Sequence, residues 1–247
     1  MRTVAIGSQT VRYVEGGASD AKRVLLLFNG IGADVEMAAT FIGAFRRTRV
    51  IAFDAPGVGD SPAPLLPYRM RDVAQLGAGL LDHLRVRVAD VFGVSWGGAA
   101  AQEFALGHPR RCRTLTLAAT SAGIVTLPAG PGALLGGSLR LGHDLLRLHA
   151  AALRGHSTRG YLLQLLALWG WTSWHRLHRL RAPTLVLMGA HDPIVAPING
   201  RMVASRLRRA TLETVDCGHL FMLTRPNETA RRIERFLAQH PVSRTSR

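Results

Sequence analysis

Six residues, Gly93-Val94-Ser95-Trp96-Gly97-Gly98, constrain this chain more than any other stretch. They follow an apolar run from Val88 to Val94 interrupted only by Asp90. They precede Ala99 to Leu106, small and helix-forming residues that stop at Gly107-His108-Pro109. Strand, G-x-S-x-G and helix in that order is the context of a nucleophile elbow, a turn so sharp that its serine takes a strained backbone conformation. Gly93 and Gly97 supply clearance that larger residues would deny. Ser95 then stands at the head of a helix, where backbone N–H groups face a developing negative charge. A bare G-x-S-x-G also arises by chance as an ordinary strand-to-helix turn. The flanking strand and helix make Ser95 the candidate nucleophile.

A serine hydroxyl is a poor nucleophile until a base takes its proton, and the base must itself be oriented. Where the serine sits on such an elbow, the partners follow it in the order acid, then histidine. Downstream, the strand-like Leu185-Val186-Leu187-Met188 ends in Gly189-Ala190-His191-Asp192-Pro193. The next strand, ending at Val215, leads into Asp216-Cys217-Gly218-His219. Sites in open α/β sheets form at the carboxyl ends of strands, so Asp192 is the expected acid and His219 the expected base. Asp216 is the competing acid. His191 is the weaker histidine, because it precedes the acid. His175 and His178 are three apart but lack an acidic or cysteine partner, so they read as surface or packing residues. Asp54 and Asp60 read as turn residues that satisfy nearby backbone.

A tetrahedral intermediate also needs donors for its oxyanion. The expected donors are the N–H of Trp96, which follows the nucleophile, and the N–H of Ile31 in the loop Asn29-Gly30-Ile31-Gly32. That loop lacks the lysine and spacing of a phosphate-binding P-loop. The chemistry calls for no metal and no organic cofactor.

Strand and helix signals alternate along the chain. Val4–Ile6 and Thr10–Glu15 read as an antiparallel pair. Val24–Phe28, Val50–Phe53, Val88–Val94, Thr114–Ala119, Thr184–Met188 and Thr211–Val215 read as further strands, several of them continuously apolar as in a parallel sheet. Helices are expected at Met37–Phe45, Arg71–Arg85, after the elbow, around Ile198–Leu207 and from Pro226 onward. The whole is an α/β fold with a mostly parallel, doubly wound sheet. The core is expected over 1–120 and 183–240. Residues 121–182, rich in glycine, proline and leucine and then helical to about Leu180, break the rhythm and read as a helical cap insertion over the elbow. Residues 241–247 are expected to fray. No internal repeat is present.

The chain has 247 residues, enough for one α/β domain with a full core. Its two cysteines, Cys112 and Cys217, form no disulfide framework or metal-binding spacing. No apolar run is long enough to cross a bilayer, and the first residues lack the apolar core of a secretory signal. The expected location is cytoplasmic. The formal charge of +15 is almost all arginine, since Lys22 is the single lysine. The arginines are scattered, with no basic arm or RNA-binding motif, so a solvated basic exterior is expected and a nucleic-acid partner is not.

These pieces resemble the α/β-hydrolase superfamily. A closer similarity is to the intracellular depolymerases of medium-chain-length poly(3-hydroxyalkanoates). It is carried by Phe28-Asn29-Gly30-Ile31-Gly32-Ala33, with asparagine where many relatives have histidine, and by the elbow. Gly170-Trp171-Thr172-Ser173 with His175 and His178, Pro183 to Leu187, and Gly218-His219-Leu220-Phe221 with Thr224-Arg225 extend it. The first half of the cap, about Gly123 to Gly160, is shorter and richer in glycine and leucine than in that family. The resemblance implies an α/β-hydrolase fold and hydrolysis of 3-hydroxyacyl ester bonds at a storage-granule surface inside the cell. Asn29, Trp169, Trp171 and Trp174 are then expected to contact substrate, since the cap's leucines and tryptophans offer an apolar lining. Two rival readings share the sequence: a general hydrolase of small soluble esters or lactones, and a granule-binding protein without turnover.

Overall fold

The computed structural model describes residues 2–123 and 158–242. Residues 124–157 of the expected cap and 243–247 of the expected frayed tail lie outside the described residues. Eight strands form one sheet: β1 (Arg2–Ile6), β2 (Gln9–Gly17), β3 (Val24–Phe28), β4 (Arg49–Phe53), β5 (Ala89–Val94), β6 (Cys112–Ala118), β7 (Thr184–Gly189) and β8 (Ala210–Val215). Their spatial order is β1-β2-β4-β3-β5-β6-β7-β8. β2 is antiparallel to β1 and β4, and every pairing from β4 to β8 is parallel.

The central strands are apolar on both sides because both faces are covered. In β3, Leu26 and Phe28 pack into one core, and Leu25 and Leu27 into the other. The first core is closed by α2 (Met70–His83) and α3 (Trp96–Gly107), the second by α1 (Ala39–Gly43) and α7 (Pro226–Ala238). In α7, Pro226 opens the helix and Ala230, Ile233 and Leu237 turn inward with Phe236. The other described helices are α4 (Thr158–Leu168), α5 (Pro197–Arg206) and the short α6 (Phe221–Thr224). None is long and apolar enough to cross a membrane.

The helical run expected to reach Leu180 stops much earlier. Gly170 takes φ +68°, a conformation open to glycine, and ends α4. The chain then forms an isolated bridge between Thr172 and Gly123 and one 3₁₀ turn at Leu177–Arg179.

Several arginines face inward, which a solvated basic exterior does not anticipate. Asp90, the acidic break in β5, is fully buried at the amino end of the sheet. Its carboxylate accepts from Arg23 at 3.1 Å, Arg113 at 3.0 Å and the Thr114 hydroxyl at 2.8 Å. Burial pushes this carboxyl above its ordinary pKa, against the pull of Arg113 and Arg23. Removing one partner of a buried pair strands the other charge, whereas a well-packed apolar replacement of the whole group would not. Asp90→Ala is therefore expected to destabilise the chain by about 3 kcal/mol, the lower end of that effect because both arginines retain some solvent contact. Urea unfolding of the variant against the parent checks it.

Candidate active site

The elbow is built by close backbone approach. Ser95 sits between β5 and α3 at φ 53° and ψ −120°, a strained backbone for a residue with a side chain. Its neighbours fix that conformation. The Ser95 N–H donates to Ala118 O at 2.9 Å, and Ser95 O accepts from the Thr120 hydroxyl at 2.8 Å and Gly98 N–H at 2.9 Å. A Cβ at Gly93 would overlap the Gly97 carbonyl, and one at Gly97 would overlap the carbonyls of Phe28 and Asn29. The two glycines thus let α3 lie against the ends of β3 and β5.

Strands β5, β7 and β8 run parallel, so the loops at their carboxyl ends share one edge of the sheet. The structure brings Ser95, His219 and Asp192 together there. Ser95 Oγ donates to His219 Nε2 at 3.0 Å, and His219 Nδ1 donates to Asp192 Oδ2 at 2.7 Å. His219 and Asp192 are both buried. The N–H groups of Ile194 and Val195 each donate to Asp192 Oδ1 at 2.8 Å, which fixes the carboxylate and leaves its other oxygen for the histidine. That acceptor holds the proton on Nδ1 and turns the Nε2 lone pair toward the serine. Asp216 does not reach His219. It accepts from His191 at 2.8 Å in an exposed pair. His175 and His178 are exposed. Among the described residues no group of three or more His, Cys, Asp or Glu side chains is placed to hold a metal ion.

Ser95 and His219 open on a cavity of about 180 Å³. Its walls are largely apolar, with Met37, Val94, Ile194, Leu220 and Met222 among them. Asn29, Gly30 and Ile31 form the side nearest the elbow. Asn29 Nδ2 donates to Asp34 O at 3.0 Å, and its buried Oδ1 has no hydrogen-bond partner among the described residues. Trp96 is the first residue of α3, where the opening N–H groups lack intrahelical acceptors.

The three tryptophans lie elsewhere. Trp169 is 83% exposed at the end of α4. Trp171 donates its indole N–H to Glu103 at 2.7 Å, and Glu103 also pairs with Arg176. Trp174 lies under the guanidinium of Arg206, whose Cζ is 4.4 Å from the ring centroid. For Trp171 and Trp174 the reason is the break at Gly170, which carries the residues after it away from the cavity, whereas Trp169 precedes the break and faces outward. Tyr161, one residue after Gly160 on α4, lines the cavity instead. Nothing in the leucine-rich run marked Tyr161 beyond its polar-tipped ring. Ile194 lies two residues after Asp192 and Leu220 directly after His219, which is the signal that could have found them.

A second group of charges stiffens the loops around the site. Arg12 of β2 is 5% exposed and pairs with Asp54, Glu36 and Asp60. Asp54 also accepts the Val35 N–H at 2.8 Å, across the chain and not within its own turn. Burial pushes the Asp54 carboxyl up to about 6, with Arg12 pulling the other way. This cluster ties the loop after β3 to the loop after β4.

Comparison with known proteins agrees with this architecture. The model of the Alpha/beta hydrolase family matches residues 24–232. A poly(3-hydroxyalkanoate) depolymerase of Ectopseudomonas oleovorans is 42% identical over 96% of this chain and 92% of its own length. A 3-oxoadipate enol-lactonase 2 of Acinetobacter baylyi is 25% identical over 91% of each chain. Among solved structures, a hydrolase from Pseudomonas aeruginosa PA01 superposes with a TM-score of 0.82 at 28% identity, covering 96% of this chain and 97% of that one. The fold, the elbow and these similarities together place the chain in the alpha/beta hydrolase family.

Proposed function

We propose that the chain is a serine ester hydrolase that cleaves the 3-hydroxyacyl ester bonds of a poly(3-hydroxyalkanoate) through an acyl-enzyme on Ser95. The observation that carries this reading is the hydrogen-bonded line from Ser95 through His219 to Asp192 at the floor of an apolar cavity. Similarity to the Ectopseudomonas oleovorans depolymerase supports the substrate class.

In the proposed cycle, His219 Nε2 takes the Ser95 proton as Oγ attacks the ester carbonyl. The N–H groups of Ile31 and Trp96 stabilise the oxyanion. Collapse of the tetrahedral intermediate breaks the ester C–O bond, and His219 returns its proton to the departing 3-hydroxyl oxygen. The same histidine then deprotonates a water that attacks the acyl-serine, and Ser95 is regenerated with release of the acid. Asp192 holds the imidazole tautomer and stabilises the imidazolium.

The outward face of α4 favours an insoluble substrate. Leu162, Leu165, Leu166 and Trp169 recur at helical spacing on that face and are 53%, 43%, 46% and 83% exposed. Leu65 and Leu66, 85% and 77% exposed, adjoin the helix, because Arg159 donates to the carbonyls of Pro64 and Leu65. An apolar surface of this kind beside the site suits docking on a solid polyester at a granule surface. The enol-lactonase similarity favours a second reading, turnover of small soluble esters or lactones.

Ser95→Ala is expected to abolish release of 3-hydroxy acids from a medium-chain-length polyester emulsion, with unfolding unchanged. Asp192→Asn should lower kcat by roughly 10³–10⁴ by favouring the wrong tautomer. Wild-type activity in Ser95→Ala would sink the assignment. Replacing both Leu162 and Trp169 by Asp should cost at least about tenfold on polymer, since each lost apolar contact is worth about 1.5–3 kcal/mol, and little on p-nitrophenyl octanoate. Equal losses on both substrates, or turnover of the soluble ester alone by the parent, would favour the second reading.

A further inference from the structure

The oxyanion loop is a tight turn. Ala33 N–H donates to Gly30 O at 3.2 Å, and Gly32 occupies the third position at φ +65°. Those are the marks of a turn whose central peptide, here Ile31–Gly32, can rotate between alternative orientations at modest cost. Rotation of that peptide would turn the Gly32 N–H and the Ile31 carbonyl, and it directly adjoins the Gly30–Ile31 peptide that carries the N–H proposed for the oxyanion. Something outside the turn must hold it.

The outside contact comes from the cap. Gln164 on α4 is 1% exposed, and its side-chain Oε1 accepts the Gly32 N–H at 2.8 Å. Its main-chain oxygen accepts the indole N–H of Trp96 at 2.8 Å. One residue therefore grips the loop that carries one proposed donor and the side chain of the residue that carries the other. The grip has a firm base. Gly160 of α4 lies so close to Gly57 that a Cβ on either would overlap the other's backbone, and Arg159 is bonded to the Pro64 and Leu65 carbonyls.

Stability pulls two ways at 164, because the side-chain oxygen of Gln164 satisfies the buried Gly32 N–H while the rest of the amide is left without a partner among the described residues. Its Nε2 group is buried and has no hydrogen-bond partner among the described residues, an arrangement that costs free energy relative to an apolar side chain. Helix formation does not call for it either, since leucine is as good a helix former as glutamine. The acceptor oxygen is what glutamine adds.

We propose that Gln164 is the positioning residue of the oxyanion hole, through which docking of the cap helix sets the orientation of the Ile31 and Trp96 N–H groups. The inference rests on the acyl-enzyme reading of Ser95. It makes α4 part of transition-state stabilisation and not only a wall of the cavity.

The test uses Gln164→Met, which keeps length and helix propensity but loses the oxygen acceptor, and Gln164→Asn, which keeps the amide but falls one methylene short. Both are expected to lower kcat on p-nitrophenyl octanoate by roughly 10–100-fold with KM within about threefold, as for a displaced oxyanion donor. Inhibition by an octyl trifluoromethyl ketone, whose adduct carries an oxyanion, should weaken in parallel. Amide hydrogen exchange over residues 29–35 should quicken in both variants. Parental kcat and parental exchange in both variants would overturn the proposal. So would a fall in kcat that follows only the folded fraction. If the parent turns over no ester, the Ser95 reading fails by itself, and the exchange measurement still decides whether Gln164 holds the loop.

Discussion

The structure depends on how closely helix α3 approaches the carboxyl ends of β3 and β5. That approach is possible because positions 93 and 97 carry no side chain, and it forces Ser95 into a backbone conformation worth about 1–3 kcal/mol of strain. The strain is tolerated because Ser95 is held from three directions, by Ala118, Thr120 and Gly98. Its result is a hydroxyl projected above the sheet edge, at the head of a helix, where the loops after β7 and β8 can reach it. Slackening the elbow would move Ser95, the Trp96 N–H and the end of β3 together.

Around that fixed point the remaining parts are tied by polar contacts between loops. Asp192 is held by two backbone N–H groups before it meets His219. Arg12 links the loops after β3 and β4 through Asp54, Glu36 and Asp60. Gln164 joins the same β3 loop to α4 and to Trp96. The Asp192 tie is local, whereas those of Arg12 and Gln164 cross between segments distant in sequence and join the loops of the site to one another. A constellation held in this way costs little reorganisation as charge develops.

The sheet is legible in the sequence because short apolar runs such as Val24–Phe28 and Leu185–Met188, too short for helices and bounded by turn residues, fit strands covered on both faces. The loops bearing Ser95 and Asp192 are legible for the same reason, since each follows such a run, whereas His219 follows the polar, largely exposed β8 and is legible from the order acid, then histidine. What the sequence does not reveal are contacts set by tertiary direction. Trp169, Trp171 and Trp174 match the composition of a pocket wall, but Trp169 faces outward, the turn at Gly170 carries Trp171 and Trp174 elsewhere, and Tyr161 lines the cavity with Ser95. Arg12 looks like one more surface arginine, yet the carboxylates it meets lie 24 to 48 residues away. Gln164 is one polar residue in a leucine-rich helix, and only the packing of α4 on Gly57 brings it to Gly32.

The central claim is that Ser95, activated by His219, becomes acylated. The most direct measurement is rapid-quench peptide mass spectrometry with p-nitrophenyl octanoate in the parent and in His219→Ala. The account predicts an octanoyl group on the peptide containing Ser95, formed within the first turnover by the parent and not by the variant. Full ester turnover with that peptide unmodified, or acylation confined to another residue such as Cys217, would contradict it.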